Sequence, residues 1–217
     1  EAARKKYFSM PEDDSNWTWN VAWWSDPVLL GKYPEEGLKK YEKYLPKITE
    51  EDMRLISEPI DVYGQNIYNG RAFRMGADGN PEEVGRVPGA GKTAVNWPVT
   101  PECLYWGPKF LYERYKKPIY ITENGMACHD IVSLDQRVHD PNRIDFLARY
   151  LHELKRAAEE IDLRGYFQWS LMDNFEWEKG YAERFGIVYV DFETQERILK
   201  DSAYWYRDVI QTNGRDL

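Results

Sequence analysis

The sequence predicts an α/β fold with parallel strands, because segments typical of strands and helices alternate along the chain. Three apolar-rich segments, at 60–68, 118–122 and 165–171, are typical of strands and run into polar residues at their ends. The clearest helical pattern lies between the second and the third, where Asp140 is a candidate cap and Pro141 suits the first helical position. Six apolar residues form one stripe on this helix: Ile144, Leu147, Leu151, Leu154, Ala158 and Ile161.

The other segments add no further parallel strand to this pattern. They are a helix with a turn-rich stretch at 34–56, an aromatic-rich helix or loop at 17–30, a hairpin formed by 187–191 and 196–200, and an amphipathic helix at 202–211. Residues 70–98 carry many Gly and Pro residues and are predicted to be a long loop, a kind of segment that is often functional. Because three strand–helix units cannot close a sheet, we interpret residues 1–217 as part of a single barrel domain whose other strands lie upstream.

The composition argues against several classes of protein. The chain has 29 basic and 37 acidic residues, a net charge of −8 and a pI near 5.1, which disfavours nucleic acid as a partner. No apolar run approaches the length of about 18 residues that a membrane span needs, and none follows the basic N-terminal cluster as in a signal peptide. Cys103 and Cys128 form no metal-spaced cluster, so neither a zinc site nor a disulfide scaffold is predicted. We therefore expect a cytoplasmic protein without a metal or cofactor.

Aromatic residues make up 15% of the chain, including 9 Trp. Burial in a core accounts for most such residues, because aromatic side chains bury the largest areas. The clustering of aromatic residues with acidic and amide residues in NFEWEKG also suits a sugar site, where rings stack on the sugar and carboxylates bind hydroxyls.

The ends of the three predicted strands are candidates for a shared pocket, because functional residues of parallel barrels lie at the C-terminal ends of strands. These ends fall at 66–68, 122–125 and 169–177 and are polar or aromatic. Glu123 directly follows the apolar strand PIYIT, and Asn124 and Gly125 then turn the chain away. A carboxylate held in this way can attack an anomeric carbon, although position alone is as well explained by a carboxylate that caps the next turn.

Six sequence blocks, in order along the chain, resemble family 1 of the glycoside hydrolases. They are DPVLLGKYP at 26–34, PIDVYGQNIY at 59–68, WPVTPECL at 97–104, ITENG at 121–125, WSLMDNFEW at 169–177 and RFGIVYVD at 184–191. The resemblance implies the C-terminal half of a (β/α)8 TIM barrel, about strands 6 to 8 with their helices. It further implies a retaining β-glucosidase of carbohydrate metabolism, with a β-glucoside or a related small oligosaccharide as ligand.

The resemblance also implies roles for eight residues. Glu123 would be the catalytic nucleophile that forms a covalent glycosyl-enzyme intermediate, and Tyr68 would donate a hydrogen bond to it. The other six would contact the substrate: Asn66 beside the nucleophile, Glu176 and Trp177 at the glycone hydroxyls, Trp169 and Phe185 in the same subsite, and Trp97 on the aglycone side. Without the motif, a strand-end Trp or Phe is more typical of core packing, and Glu176 of a solvated loop.

Glu176 bears on the class of substrate. The resemblance implies that relatives acting on 6-phosphorylated sugars carry a small residue at this position and add cationic phosphate ligands, whereas a carboxylate repels phosphate. Lys179 and Arg184 are offset by Glu178 and Glu183. We therefore expect unphosphorylated β-glucosides, with β-galactosides or β-fucosides as co-substrates.

One half of a retaining mechanism has no counterpart in the sequence. Such an enzyme needs two carboxyl groups about 5 to 5.5 Å apart, and the resemblance implies that the acid lies in an Asn-Glu-Pro motif. The nearest match, Ser57-Glu58-Pro59, precedes the first predicted strand, which puts Glu58 at the opposite end of the barrel, roughly 26 Å away at about 3.3 Å per residue. We therefore expect that the chain alone does not turn over substrate, and that its open strand edges pair with an N-terminal half of the barrel or with another copy.

Three functions remain open at this point. The first is the nucleophile-bearing part of a β-glucosidase, the second a carbohydrate-binding part without catalysis, and the third a half-barrel assembly module. Glu123 and Tyr68 together favour the first, because a pure binding module has no need of an attacking carboxylate with a hydroxyl donor.

Overall fold

The structure is a computed structural model that describes residues 1–11 and 20–217. These residues form two compact units, one of residues 1–61 with 71–85 and one of residues 62–70 with 86–217. The predicted aromatic-rich segment at 17–30 lies partly outside the described residues, and its remainder is helical.

Seven helices and seven strands are formed by the described residues. The helices are α1 (Ala2–Phe8), α2 (Val21–Leu30), α3 (Glu35–Tyr41), α4 (Glu50–Ile56), α5 (Cys103–Tyr115), α6 (Pro141–Ala158) and α7 (Asp201–Gln211). The strands are β1 (Tyr63–Asn66), β2 (Ala72–Met75), β3 (Pro81–Val84), β4 (Ile119–Asn124), β5 (Leu163–Gln168), β6 (Val188–Val190) and β7 (Arg197–Leu199).

The unit of residues 1–61 and 71–85 contains α1 to α4 and the antiparallel pair of β2 and β3. Asn20 caps α2 by accepting a hydrogen bond from the backbone N–H of Trp23 at 2.8 Å, and Trp23 is the centre of a small core with Tyr41. The prediction of a loop across 70–98 is wrong for this hairpin. Its strands carry cross-strand ion pairs such as Arg74 with Glu82, and most of their residues are exposed, so the apolar alternation of a half-buried strand is missing.

The second unit contains a three-stranded parallel sheet in the order β1-β4-β5. Its strands correspond to the three predicted segments, with bounds that differ by up to three residues. Strand β5 ends at Gln168, three residues earlier than predicted, because the chain after it pairs with residues 185–188 instead of continuing along β4. The central strand β4 places Ile119 and Ile121 on the side of the sheet that the helices cover, and both are fully buried.

Helices α5 and α6 pack beside each other over this side of the sheet. The predicted stripe is correct for Leu147, Leu151, Leu154 and Ile161, but wrong at Ala158, which is exposed, whereas Ala157 is buried. A step of three residues after Leu154 stays on the buried face here. Helix α5 was not predicted from the sequence, because it contains a proline. This residue, Pro108, lies fully buried inside the helix.

The predicted C-terminal hairpin and helix are present as β6, β7 and α7. Asp140 occupies the predicted position before α6, with Pro141 following, but its carboxylate makes no cap. The carboxylate instead accepts hydrogen bonds from the backbone N–H and the hydroxyl of Ser202, at 2.8 and 2.5 Å, which joins the starts of α6 and α7. None of the described helices is long and apolar enough to span a membrane.

Candidate active site

The ends of β1 and β4 bring Tyr68 and Glu123 together. The two strands are parallel and Asn66 lies opposite Glu123, with a register shift between Gln65 and Asn66. Beyond that shift, the backbone N–H of Ile67 donates to the carbonyl oxygen of Glu123 at 3.0 Å. The Tyr68 hydroxyl donates a hydrogen bond to Oε2 of Glu123 at 2.7 Å, so a phenol holds one oxygen of the half-buried carboxylate.

Tyr68 remains a proton donor at neutral pH. Burial raises the pKa of its hydroxyl well above the usual range, and the hydrogen bond to Glu123 and the negative charges of Glu123 and Glu176 act in the same direction. A protonated phenol against a carboxylate is a charge-assisted hydrogen bond, which fixes the side chain of Glu123 more firmly than a neutral contact would.

Three aromatic rings form a wall beside this pair. The ring of Tyr68 meets the ring of Trp97 edge-on, with 5.1 Å between centroids, and lies 6.3 Å from that of Phe185. Trp97 and Phe185 are 6.0 Å apart. Phe185 is buried, whereas Trp97 is 37% exposed, so the wall has an inner end in the core and an outer end that a ligand can reach.

Asn124 and Gly125 fix the end of β4. Asn124 is fully buried, and its Nδ2 donates to the Ile67 carbonyl at 2.8 Å, while its Oδ1 accepts from the Tyr166 hydroxyl at 2.9 Å. Gly125 has no room for a side chain, because an added Cβ would lie 1.8 Å from the carbonyl oxygen of Trp169. These two residues therefore lock the nucleophile candidate between β1 and β5.

Asn66 faces the opposite side of the sheet from Ile67. Its Oδ1 accepts a hydrogen bond from the Thr122 hydroxyl at 2.7 Å, and both residues are exposed. The structure thus puts Asn66 next to the strand that carries Glu123, and its role in substrate binding stays a prediction.

Glu176 lies within electrostatic range of the Tyr68–Glu123 pair. Burial raises the pKa of its carboxyl group, and the charges of Glu123 and Glu183 raise it further. Its backbone N–H donates to the carbonyl oxygen of Gly180 at 2.7 Å, which closes a tight turn. Three carboxyl groups near one another are costly unless a ligand or a proton intervenes, as is common where a site binds polar substrates.

Trp169 and Trp177 lie in the segment that follows β5. The backbone N–H of Trp169 donates to the carbonyl oxygen of Asn124 at 2.8 Å, so the third strand end joins the other two, and the peptide bond to Ser170 is cis. Trp177 begins a short 3-10 turn and is 79% exposed. Within the described residues neither indole has a ring contact with the aromatic wall, and their roles in substrate binding stay predictions.

Two features of the site were missed by sequence analysis. One is the hydroxyl of Tyr166, which reaches Asn124 from the neighbouring strand and whose pKa burial raises well above the usual range. The other is a group of buried charges behind the loops, described below. Within residues 1–11 and 20–217, no group of three or more His, Cys, Asp or Glu side chains is arranged to hold a metal ion.

Known proteins resemble this chain over most of its length. Residues 5–215 match the family model of glycosyl hydrolase family 1. Over 192 residues the chain is 48% identical to β-glucosidase A of Thermotoga maritima, covering 87% of this chain and 43% of that protein. It is 43% identical over 208 residues to a bifunctional β-D-glucosidase/β-D-fucosidase of Bifidobacterium breve, covering 85% of this chain and 45% of that protein.

Solved structures give the same result. The Thermotoga maritima β-glucosidase in complex with castanospermine matches with a TM-score of 0.79 and 46% identity, over 90% of this chain and 44% of that one. Such family 1 β-glucosidases are (β/α)8 barrels, of which this chain matches a part. The chain spans less than half the length of these relatives. A family model that matches almost the whole chain, together with these relatives, shows that the chain belongs to glycosyl hydrolase family 1.

Proposed function

We propose that this chain is the nucleophile-bearing part of a retaining β-glucosidase. The observation that carries the proposal is the 2.7 Å hydrogen bond from the Tyr68 hydroxyl to Glu123 at the C-terminal ends of two parallel strands. It is supported by the family membership and by relatives whose names are β-glucosidases. The parallel order β1-β4-β5 fits three consecutive barrel strands, which we assign as strands 6 to 8 of one barrel domain.

The reaction would proceed by double displacement. The free oxygen of Glu123 attacks the anomeric carbon as the bond to the leaving oxygen breaks, and an acid protonates that oxygen. Water then attacks the same carbon, the ester bond to Glu123 breaks, and the proton of the water passes to the group that first acted as the acid. Tyr68 keeps Glu123 in one rotamer for both steps, while Glu176 and Phe185 bind the glycone and Trp97 contacts the aglycone.

The acid would come from residues outside this chain. The sequence has no Asn-Glu-Pro, and Glu58 is an exposed residue just after α4. Both outer strands of the sheet, β1 and β5, lack a further parallel partner among the described residues, so upstream strands of the barrel have two edges on which to pair. In this proposal the missing N-terminal half supplies both the acid and the remaining wall of the pocket, and the chain alone is inactive.

The proposed substrates are unphosphorylated β-glucosides. Glu176 and Glu183 place negative charge beside the glycone site, which disfavours a phosphorylated sugar. β-Galactosides and β-fucosides are proposed as co-substrates, and the Bifidobacterium breve relative is named for both glucosidase and fucosidase activity.

A covalent label tests the nucleophile directly. The chain is combined with the part of the Thermotoga maritima enzyme that it does not cover, hereafter the complemented enzyme, and treated with an activated 2-deoxy-2-fluoro-β-glucoside. Mass spectrometry of the peptides is expected to place the label on Glu123. Glu123→Gln removes the label, whereas the matched variant Glu58→Gln keeps it, and the Thermotoga part alone is the blank. A label that persists in Glu123→Gln contradicts the assignment.

Sugar binding without cleavage is the second candidate function. The exposed indoles of Trp97 and Trp177 favour it, because they offer ring faces to a sugar without further parts of the barrel. Quenching of tryptophan fluorescence by glucose in the chain alone, lost in Trp97→Phe, is the expected result for a binding module. If glucose leaves the fluorescence unchanged while the complemented enzyme is labelled, this second function is excluded.

A further inference from the structure

Six charged side chains form a buried cluster behind the candidate site, here called the charge network. Three are carboxylates and three are cations, so the cluster is balanced in charge. Five of the side chains are at most 2% exposed, and the sixth, Arg184, is 15% exposed. The members are Asp130, Asp140, Arg143, Asp173, Arg184 and Lys200.

Asp173 accepts hydrogen bonds from four donors. Its Oδ1 accepts from Nζ of Lys200 at 2.8 Å and from the backbone N–H of Gly186 at 3.0 Å. Its Oδ2 accepts from Nη1 of Arg184 at 2.6 Å and from the backbone N–H of Val190 at 3.4 Å. A carboxylate with two cations and two backbone donors is fully satisfied, and so it fixes the segments that supply those donors.

These contacts bind the loop after β5 to residues 184–190. The backbone N–H of Ser170 donates to the carbonyl oxygen of Phe185 at 3.2 Å, and that of Asp173 to the carbonyl oxygen of Val188 at 3.0 Å. Asp173 therefore lies where the paired stretch ends, three residues before Glu176. The same pairing holds Phe185, the buried ring of the aromatic wall.

The charge network also reaches the segment that follows the nucleophile candidate. Asp130 comes seven residues after Glu123 and accepts from Lys200 and from Arg143, both at 2.6 Å. Arg143 donates in addition to the carbonyl oxygen of Arg184 at 2.8 Å. Lys200 thus joins Asp130 to Asp173, and a chain of buried ion pairs connects the segment after Glu123 with the loop that leads to Glu176.

A buried ion group of this kind is poorly explained by stability alone. Removing charges from water is expensive, and apolar residues of similar volume often serve a core as well or better. Burial lowers the pKa of Lys200, with Arg143 acting in the same direction, and Asp130 and Asp173 oppose this. Unlike apolar packing, the charge network forms directional bonds, and these fix the loop after β5 in one geometry.

We infer that Asp173 is a positioning residue for the glycone subsite: by binding Lys200, Arg184 and two backbone N–H groups, it sets where Glu176 stands relative to Glu123. This inference rests on the proposed function, because it assigns Asp173 an effect on glycoside binding. Asp173 itself touches neither the substrate site nor Glu123, and so it acts through Glu176.

A double-mutant cycle in the complemented enzyme tests this coupling. The variants are Asp173→Asn, Glu176→Gln and the two combined, and the readouts are kcat/KM for an aryl β-glucoside and the rate of Glu123 labelling. Asp173→Asn is expected to lower both by roughly tenfold or more, and to add less than about threefold once Glu176 is already Gln, since contacting or networked residues are non-additive. The matched control is Asp145→Asn, which breaks an exposed ion pair with Arg149 on α6 and is expected to change neither readout by more than about twofold.

The outcomes separate the inference from the proposed function. If the complemented parent is not labelled at Glu123, the proposed function fails and the inference fails with it. If the parent is labelled but the rates of Asp173→Asn match those of Asp145→Asn, the positioning role is overturned. It is also overturned if the rate decreases of Asp173→Asn and Glu176→Gln multiply fully in the double variant, because a purely structural loss would not depend on Glu176. Should Asp173→Asn fail to fold, Arg184→Lys, which keeps the charge and the Asp173 partner, takes its place in the same cycle and is judged by the same coupling.

Discussion

Replacing Tyr68 with Phe isolates the hydroxyl that contacts the candidate nucleophile. The ring, and with it the packing against Trp97 and Phe185, is retained, and only the 2.7 Å hydrogen bond to Glu123 is lost. A hydrogen bond to a charged group contributes about 1.5 to 3 kcal/mol, and each 1.36 kcal/mol of barrier corresponds to about tenfold in rate. If Glu123 loses its fixed rotamer, we therefore expect a decrease of roughly 10- to 150-fold in its rate of attack.

The assay is the rate of labelling of the complemented enzyme by the fluorinated glucoside, followed by mass spectrometry over time. Tyr204→Phe is the matched control, because Tyr204 lies on α7 with 42% of its surface exposed and takes no part in the site. It is expected to label at the parent rate. A Tyr68→Phe variant that labels within about twofold of the parent would refute the reasoning that the phenol orients Glu123.

Three further predictions concern packing and pH. Gly125→Ala is expected to lower the melting temperature of the chain by about 5 to 15 °C. Its Cβ would meet the Trp169 carbonyl and push Trp169 away from the Asn124 carbonyl, to which the Trp169 N–H donates at 2.8 Å, and overpacking with loss of that hydrogen bond costs about 2 to 4 kcal/mol. Glu183→Gln is expected to shift the acidic limb of glycone binding to lower pH, measured as the pH profile of glucose inhibition, because it removes a charge that raises the pKa of Glu176. His139→Gln is expected to lower the melting temperature at pH 5.5 more than at pH 8, since two aspartates raise the pKa of His139 and the stabilisation is lost as pH rises through it.

Each of these has a control and a contrary outcome. Gly85→Ala has open space around its Cβ and should melt with the parent, and an equal melting temperature for Gly125→Ala would contradict the contact. The control for a general loss of negative charge near Glu176 is Glu178→Gln, which changes an exposed side chain. An unchanged pH profile of glucose inhibition in Glu183→Gln would exclude electrostatic coupling between Glu183 and Glu176. For His139→Gln, a loss that is equal at both pH values, or that persists at high salt, would show that packing and not charge is responsible.

The parallel sheet and the nucleophile candidate were predictable because their signals are local. The apolar-rich run PIYIT, followed directly by a carboxylate, indicates a strand with a functional end, and this requires no knowledge of distant contacts. A shared pocket at the strand ends was also predictable, since parallel neighbours bring their C-terminal ends together. The hydrogen bond from Tyr68 to Glu123 was implied by the family resemblance, and the structure contains it. The resemblance to a family supplied what local patterns could not, namely a reason to prefer the nucleophile interpretation of Glu123 over that of a carboxylate that caps a turn.

The charge network was not predictable from the sequence, for a physical reason. Asp130, Arg143 and Lys200 look like ordinary surface residues, because burial of a charge depends on partners far along the chain. Lys200 and Asp130 are 70 residues apart in sequence, yet Nζ of Lys200 lies 2.6 Å from Oδ2 of Asp130. The same dependence explains Asp140, whose local pattern indicates a helix cap, while its carboxylate is taken by Ser202.

The two faces of the parallel sheet differ in how far this chain covers them. On the helix side, Ile119 and Ile121 are fully buried by elements of this chain, and that packing fixes the backbone from which Glu123 projects. On the other face Thr122 is exposed and Phe167 is 58% exposed, although parallel sheets are ordinarily covered on both sides. The contacts that orient Glu123, the proposed nucleophile, are therefore contained in this chain, whereas in the proposed enzyme the acid and the cover for the open face come from other residues. Positioning and turnover are separable for that reason, since the hydrogen bond from Tyr68 can form before the second carboxyl group is present.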